Sequence, residues 1–176
     1  MIYLARHGQT QWNVEKRICG RADVPLTPVG YQQAENLAQK IVDEKINLNK
    51  IIVSPLSRAQ DTAKVVNEKL KLPIITDKRL TEMDFGIYDG QAIANVEFQK
   101  VRVELSLPFP NGESVLDVAG RIYPLLIELE AAKEDVLLIC HNAVSRVVDN
   151  YFYGKSMKDF LDFNLVNTEI KQYSVG

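Results

Sequence analysis

The chain has 176 residues, 21 basic and 23 acidic side chains and a net charge of −2. That length suits one domain with its own core, and 46% hydrophobic against 25% charged residues excludes an intrinsically disordered chain. The nearly balanced charge argues against a polyanion-binding face, so nucleic acid is not an expected partner.

In chain order, Ile2–Ala5 is a short apolar run leading straight into Arg6-His7-Gly8, and it reads as a buried strand. Gln9–Pro25 has no sustained period and carries Asn13, Gly20, Asp23 and Pro25, which predicts a loop. Thr27-Pro28 is a helix start: a threonine oxygen can cap free N–H groups, and proline suits the first helical position. Ala34, Leu37, Ala38, Ile41 and Val42 recur at helical spacing, predicting a helix over 28–43. Lys50–Val53 is a second apolar strand that ends at Ser54-Pro55. Ala59, Ala63, Val66 and Leu70 then line one side of a second helix, and Pro73–Thr76 reads as a third strand.

Leu80–Gly90, with two glycines and three carboxylates, reads as a loop. Residues 91–107 carry mixed signals. Val101, Val103, Leu105 and Leu107 alternate as in a strand, but Gln91–Lys100 reads as helix, and helix is the expectation. Pro108, Pro110, Asn111 and Gly112 mark a turn before a long helix to about Lys133, which Pro124 is expected to kink. Val136–Cys140 is a continuous apolar run, as expected of a parallel strand covered on both faces. Helices over 142–153 and 156–163 and an edge strand at Thr168–Tyr173 complete the pattern. Alternating strands and helices predict an α/β fold, a three-layer α/β/α sandwich with a mainly parallel sheet, formed by residues 1–176 as one domain.

Ligands of such sheets bind beyond the carboxyl ends of the strands. His7 follows the first strand, Ser54–Arg58 the second, Glu82 the third and His141 the fourth, so all converge on one rim. His7 and His141 are the chain's only histidines. Together with Arg6, Asn13 and Arg58 they have one evident use. Two guanidiniums can clamp a phosphoryl group through paired hydrogen bonds. A neutral imidazole can attack phosphorus and form a phosphohistidine. A second imidazole, if protonated, can donate to the transferring oxygens. Proton transfer needs a carboxyl group, for which Glu82, Asp84 and Asp89 are candidates. Two of these three are expected to be solvated loop charges.

No GxxxxGK[ST] or GxGxxG motif occurs, and two histidines without a cysteine cluster argue against a zinc site, so cofactor-free, metal-independent chemistry is expected. Cys19 and Cys140 give no disulfide framework, which suits a reducing, cytoplasmic setting. The apolar start is broken by Arg6 and His7, so it does not read as a signal peptide. No run approaches the ~18 apolar residues of a membrane span.

The segment LARHGQTQWN (Leu4–Asn13) resembles the signature of the histidine phosphatase superfamily, also called phosphoglycerate mutase-like. The likeness extends along the chain through DVPLTPVG (Asp23–Gly30), SPLSRAQDTA (Ser54–Ala63), LTEMDFG (Leu80–Gly86), NGES (Asn111–Ser114) and VLLICHNAVSR (Val136–Arg146). The resemblance implies that His7 is the phosphorylated nucleophile and that Arg6, Arg58 and His141 hold the phosphoryl group, with Asn13 as a further donor. It also implies that Glu82 is the general acid and base. Cys19-Gly20 match the position where mutases of the family present Ser-Gly to the substrate. Asn142 stands where many members have glycine. The sugar bisphosphatase branch also has an amide there, followed by Ala-Val, and Asn142 joins the substrate-binding set.

Only 58 residues separate Glu82 from His141, whereas mutases of the family carry a longer insertion there. A short cap over the strand ends leaves a phosphoenzyme open to water. The expected activity is therefore that of a phosphatase acting on a small phosphorylated metabolite. A phosphoglycerate mutase and a non-catalytic phospho-ligand module are the alternatives. Glu82 beside His7 argues against the module, because a binder needs the clamp and not the acid. Neither the particular metabolite nor the oligomeric state has a readable motif.

Overall fold

The computed structural model describes residues 1–174, so the last two residues of the expected 1–176 domain lie outside it. The chain runs β1 (Ile2–Arg6), α1 (Gln11–Val14), α2 (Pro28–Asp43), β2 (Lys50–Val53), α3 (Ser57–Leu70) and β3 (Ile74–Thr76). It continues through α4 (Val96–Val101), α5 (Val115–Ala132), β4 (Val136–Cys140), α6 (Asn142–Tyr153), α7 (Met157–Asp162) and β5 (Ile170–Tyr173). The five strands form one sheet in the order β3-β2-β4-β1-β5, parallel except for β5 against β1.

The layers follow from side-chain alternation. Every residue of β4 is buried. Val136, Leu138 and Cys140 pack with Ile122, Leu126, Val144 and Val148 of α5 and α6, while Leu137 and Ile139 pack with Leu37, Ile41, Ala63 and Val66 of α2 and α3. A strand apolar at every position is thus one that feeds two cores. The expected three-layer sandwich is what forms.

Register then builds the rim. Arg6 pairs with Cys140 and Val53 with Ile139, so β1, β4 and β2 end at nearly one level. The His7 N–H donates to the Cys140 carbonyl at 3.0 Å and the Ser54 N–H to the Ile139 carbonyl at 3.1 Å. His7, His141 and Ser54, one residue beyond their strands, are brought together by the sheet itself.

Two expected elements are corrected. The loop over 9–25 contains α1, a single turn that Thr10 and Asn13 hold with a reciprocal capping box. The helix expected through 91–107 is confined to Val96–Val101, capped by Asn95, whose Oδ1 accepts the Phe98 N–H at 2.9 Å. Val101 and Leu105 are half-buried while Val103 and Leu107 are exposed. Their alternation comes from a turn-rich segment lying on an aromatic cluster, where Phe98 and Phe109 stack at 5.5 Å with Phe85 and Tyr88 at their edges. This segment is the cap. α5 runs across Pro124 from Val115 to Ala132.

Candidate active site

His7 is 3% exposed. Its Nδ1 lies 2.7 Å from the Gly8 carbonyl oxygen. A carbonyl can only accept, so this contact assigns the ring proton to Nδ1 and leaves the Nε2 lone pair free. Burial, then the charges of Arg58 and Arg6, push its pKa well below 6.5. The imidazole is neutral, the form that can attack phosphorus. Gly8 is required here by close packing: a Cβ on it would stand 2.4 Å from the Gly30 carbonyl oxygen.

His141 is fully buried, its ring centroid 5.2 Å from that of His7. Its Nε2 lies 2.7 Å from Ser54 Oγ, which also accepts the Leu56 N–H at 3.4 Å. The Ser54 hydroxyl can donate to Nε2, an arrangement in which the ring proton sits on Nδ1. Burial first, then Arg58, His7 and Arg6, hold His141 well below the usual range, which favours the neutral ring over the protonated form considered from sequence.

Arg58, from the first turn of α3, is fully buried. It donates to the carbonyls of Ala22 at 2.9 Å, Gly20 at 2.7 Å and Cys19 at 3.5 Å. Arg6 donates to the Leu165 carbonyl at 3.0 Å. Among the described residues, four buried side-chain nitrogen or oxygen atoms lack a hydrogen-bond partner: Arg6 Nε, Arg58 Nε, His141 Nδ1 and Asp149 Oδ2. The last lies 2.6 Å from Lys155 Nζ. The other three are nitrogens of the expected phosphoryl pocket. Buried donors without acceptors are rare in folded chains, and an anion is the kind of ligand that would satisfy them.

Glu82, 4% exposed, is neither solvated nor free to swing. Its Oε1 accepts from Met83 and Val144 N–H at 2.9 and 3.3 Å, and its Oε2 from Ala143 N–H at 3.1 Å. The acid is thereby docked on the first turn of α6, directly after His141. The other two loop carboxylates are not plain solvated charges either. Asp84 accepts the Gly86 N–H at 2.9 Å, which closes a turn. Asp89 accepts from Gly20, Arg21 and Ala22 N–H at 2.7, 3.1 and 2.9 Å. The 19–22 loop is held from one side by Asp89 and from the other by Arg58, a junction that spacing along the chain does not reveal.

A cavity of about 150 Å³ opens at this rim. Of the expected residues, Arg6, His7, Asn13, Cys19, Glu82 and Asn142 line it. Arg58, His141 and Gly20 do not. The Gly20 carbonyl and N–H are taken by Arg58 and Asp89, which leaves no backbone group of Gly20 free for a substrate. Asn13 Oδ1 accepts the Thr10 N–H and Asn142 Oδ1 the Leu165 N–H, so each can turn its amide NH₂ to a ligand. Burial raises the Cys19 thiol to about 11, which keeps it protonated. Arg17, Arg102 and Arg146 also line the cavity and were not anticipated, because the reach of a long side chain leaves no periodic signal. Among the described residues no cluster of three His, Cys, Asp or Glu side chains is placed to hold a metal ion, and no helix is long and apolar enough to cross a membrane.

The two neutral histidines make stability depend on pH. Both have folded values depressed below the ordinary 6.5. Between the two values the unfolded chain binds protons that the folded chain does not. Their contribution is therefore complete above pH 6.5 and is lost as pH falls below it, by up to about 1.4 kcal/mol per histidine per pH unit. Urea unfolding at pH 7.5, 6.5 and 5.5 should show the loss confined to the lower interval, and His141→Gln should make it shallower. An equal slope in wild type and variant would count against the assignment.

The profile of the histidine phosphatase superfamily (branch 1) matches residues 2–175. A Proteus mirabilis (strain HI4320) protein named "Probable phosphoglycerate mutase GpmB" is 35% identical over 149 residues, covering 80% of this chain and 68% of the relative. A mycobacterial glucosyl-3-phosphoglycerate phosphatase superposes with a TM-score of 0.83 at 27% identity, over 96% of this chain and 87% of that one. The alpha-ribazole phosphatase from Shigella flexneri superposes with a TM-score of 0.81 at 25% identity, over 96% and 87%. With a profile match that spans nearly its whole length, the chain belongs to the histidine phosphatase superfamily.

Proposed function

We propose that the protein is a phosphatase that hydrolyses a small phosphomonoester through a phosphohistidine at His7. The observation that carries this reading is the pairing of a neutral His7, its Nε2 lone pair free, with three partnerless donors on Arg6, Arg58 and His141. His7 Nε2 attacks phosphorus while the P–O ester bond breaks, and Glu82 protonates the leaving alkoxide. Glu82, now a carboxylate, takes a proton from water, whose oxygen attacks phosphorus. The P–N bond breaks and inorganic phosphate leaves. Arg6, Arg58 and the His141 N–H meet the charge that spreads over the phosphoryl oxygens, so these steps are metal-independent.

Hydrolysis is favoured over transfer because the cap is short, with α4 as its one α-helix between Glu82 and α5. The mutase reading is kept because of the relative named as a probable phosphoglycerate mutase. p-Nitrophenyl phosphate, offered with a chelator present, should release phosphate. In a parallel assay, 3-phosphoglycerate primed with 2,3-bisphosphoglycerate should lose phosphate faster than it forms 2-phosphoglycerate. Faster interconversion than release would replace the phosphatase with a mutase, and binding without any turnover would reduce it to a phospho-ligand module.

A further inference from the structure

Beyond Arg6 the chain leaves the sheet, and its backbone groups pair with side chains instead of a neighbouring strand. The His7 carbonyl accepts from Asn167 Nδ2 at 2.8 Å, and the Gly8 N–H donates to Thr62 Oγ1 at 2.9 Å. The Gln9 N–H donates to Gln33 Oε1 at 2.8 Å and the Thr10 N–H to Asn13 Oδ1 at 3.0 Å. The loop that carries His7 is thus held from the segment before β5 and from α3, α2 and α1.

Gln33 is the one of these whose grip reaches the His7 ring. The peptide it holds joins Gly8 to Gln9, and the carbonyl of that same peptide faces His7 Nδ1 at 2.7 Å. The peptide is trans and planar, so its N–H and C=O point opposite ways, and fixing one aims the other. Something must aim it, because Gly8 has no Cβ to restrict its own rotation. α2 does so at close range. A Cβ on Gly30 would stand 2.9 Å from the Gln9 nitrogen, so the first turn of α2 lies against this peptide and Gln33, in the next turn, reaches its N–H. Donation to Gln33 also polarises the peptide and strengthens the Gly8 carbonyl as an acceptor.

We infer that Gln33 is a positioning residue that sets the tautomer of His7: by holding the Gly8–Gln9 peptide it directs the ring proton to Nδ1 and keeps the Nε2 lone pair for phosphorus. The use of that lone pair rests on the phosphatase reading, but the tautomer can be read without turnover. The chain has only two histidines, so ¹H–¹⁵N correlation spectra of the imidazole rings are readily assigned, with His7→Ala identifying the His7 set. At pH 7.5 wild-type His7 should be protonated on Nδ1 and bare on Nε2. Gln33→Met keeps the length of the side chain without its acceptor, and an Nε2–H population should appear. The rate of p-nitrophenolate release in the first turnover, per folded molecule, should fall by about three- to tenfold, the size expected when one ordinary hydrogen bond no longer selects the tautomer. Affinity for inorganic phosphate, which reports the donors on Arg6, Arg58 and His141, should change by less than about twofold. Gln33→Glu keeps an acceptor for the Gln9 N–H and should restore the tautomer and most of the rate.

An Nε2–H ring in wild type overturns the inference whether or not any variant folds. So does an unchanged His7 spectrum in folded Gln33→Met, the result expected of packing alone. The phosphatase reading fails separately: a tautomer that shifts in Gln33→Met with no change in the first-turnover rate leaves Gln33 as the residue that sets it and removes His7 as the nucleophile.

Discussion

His7→Ala should lower kcat for p-nitrophenyl phosphate by roughly 10³–10⁵-fold and abolish acid-labile ³²P labelling of the protein. The loss should be large because, in the proposed reaction, alanine removes the atom that forms the P–N bond, and no other described group can take over. His141 cannot, since its Nε2 is engaged by Ser54. Glu82 cannot readily do so either, with both carboxylate oxygens held by backbone N–H groups. The phosphoryl donors Arg6, Arg58 and His141 survive the substitution. Vanadate affinity should therefore fall far less than kcat, and added imidazole should restore part of the rate. His7→Ala activity above a tenth of wild type, or label on another residue, would reject His7 as the nucleophile. Unfolding offers a second readout, because the variant lacks one depressed histidine and its stability should fall less steeply below pH 6.5.

Much of the scaffold beneath this chemistry is legible in the chain. Four parallel strands and the helices α2, α3, α5 and α6 carry strong periodic patterns, and a strand that leads directly into a histidine is easily recognised. That Glu82 stands with the two histidines follows from topology, since every parallel strand ends on one rim. What was missed has physical causes. Four-residue α1 is too short for a period, although Thr10 and Asn13 are a readable cap pair. The cap gave mixed signals because Val101 and Leu105 pack on the core while Val103 and Leu107, which share their alternation in the chain, are exposed. The duties of Asp84 and Asp89 were hidden because they bind backbone N–H groups, which every residue but proline offers, so sequence gives no partner to look for. The cavity arginines were hidden because guanidinium position depends on χ angles and on the facing loop.

The site is also a place where stability and function pull apart. A fully buried arginine with no carboxylate partner and three partnerless donors are each unfavourable in the empty protein. They are tolerated because β1, β2 and β4 hold the surroundings rigidly, with β4 buried along its whole length. An anion that binds only the folded chain should stabilise it by mass action, most where those donors are most numerous.

Arg58→Met should show both sides of this balance. Methionine keeps much of the side-chain volume but loses the charge and every donor. The Gly20 and Ala22 carbonyls would lose their partners at 2.7 and 2.9 Å, with a cost of about 1.5–3 kcal/mol for each such charge-assisted bond. Against that stands relief from burying an uncompensated guanidinium, worth several kcal/mol in the same direction as folding. Because these contributions oppose one another, apo stability at pH 7.5 should change by less than about 2 kcal/mol. Activity has no such offset. Loss of a phosphoryl clamp and of the tie that holds the 19–22 loop should lower kcat/KM by about 10²–10³-fold, and the rise in Tm produced by vanadate should largely disappear. The pH response separates this role from mere packing. After burial, Arg58 is the largest influence depressing both histidines. Its removal should raise their folded values towards 6.5, so stability should fall less steeply than wild type between pH 6.5 and 5.5. Arg58→Lys, which keeps the charge but not the fork of donors, should retain the wild-type slope while losing most of the activity. If Met and Lys variants share one slope, the charge of Arg58 does not govern the histidines.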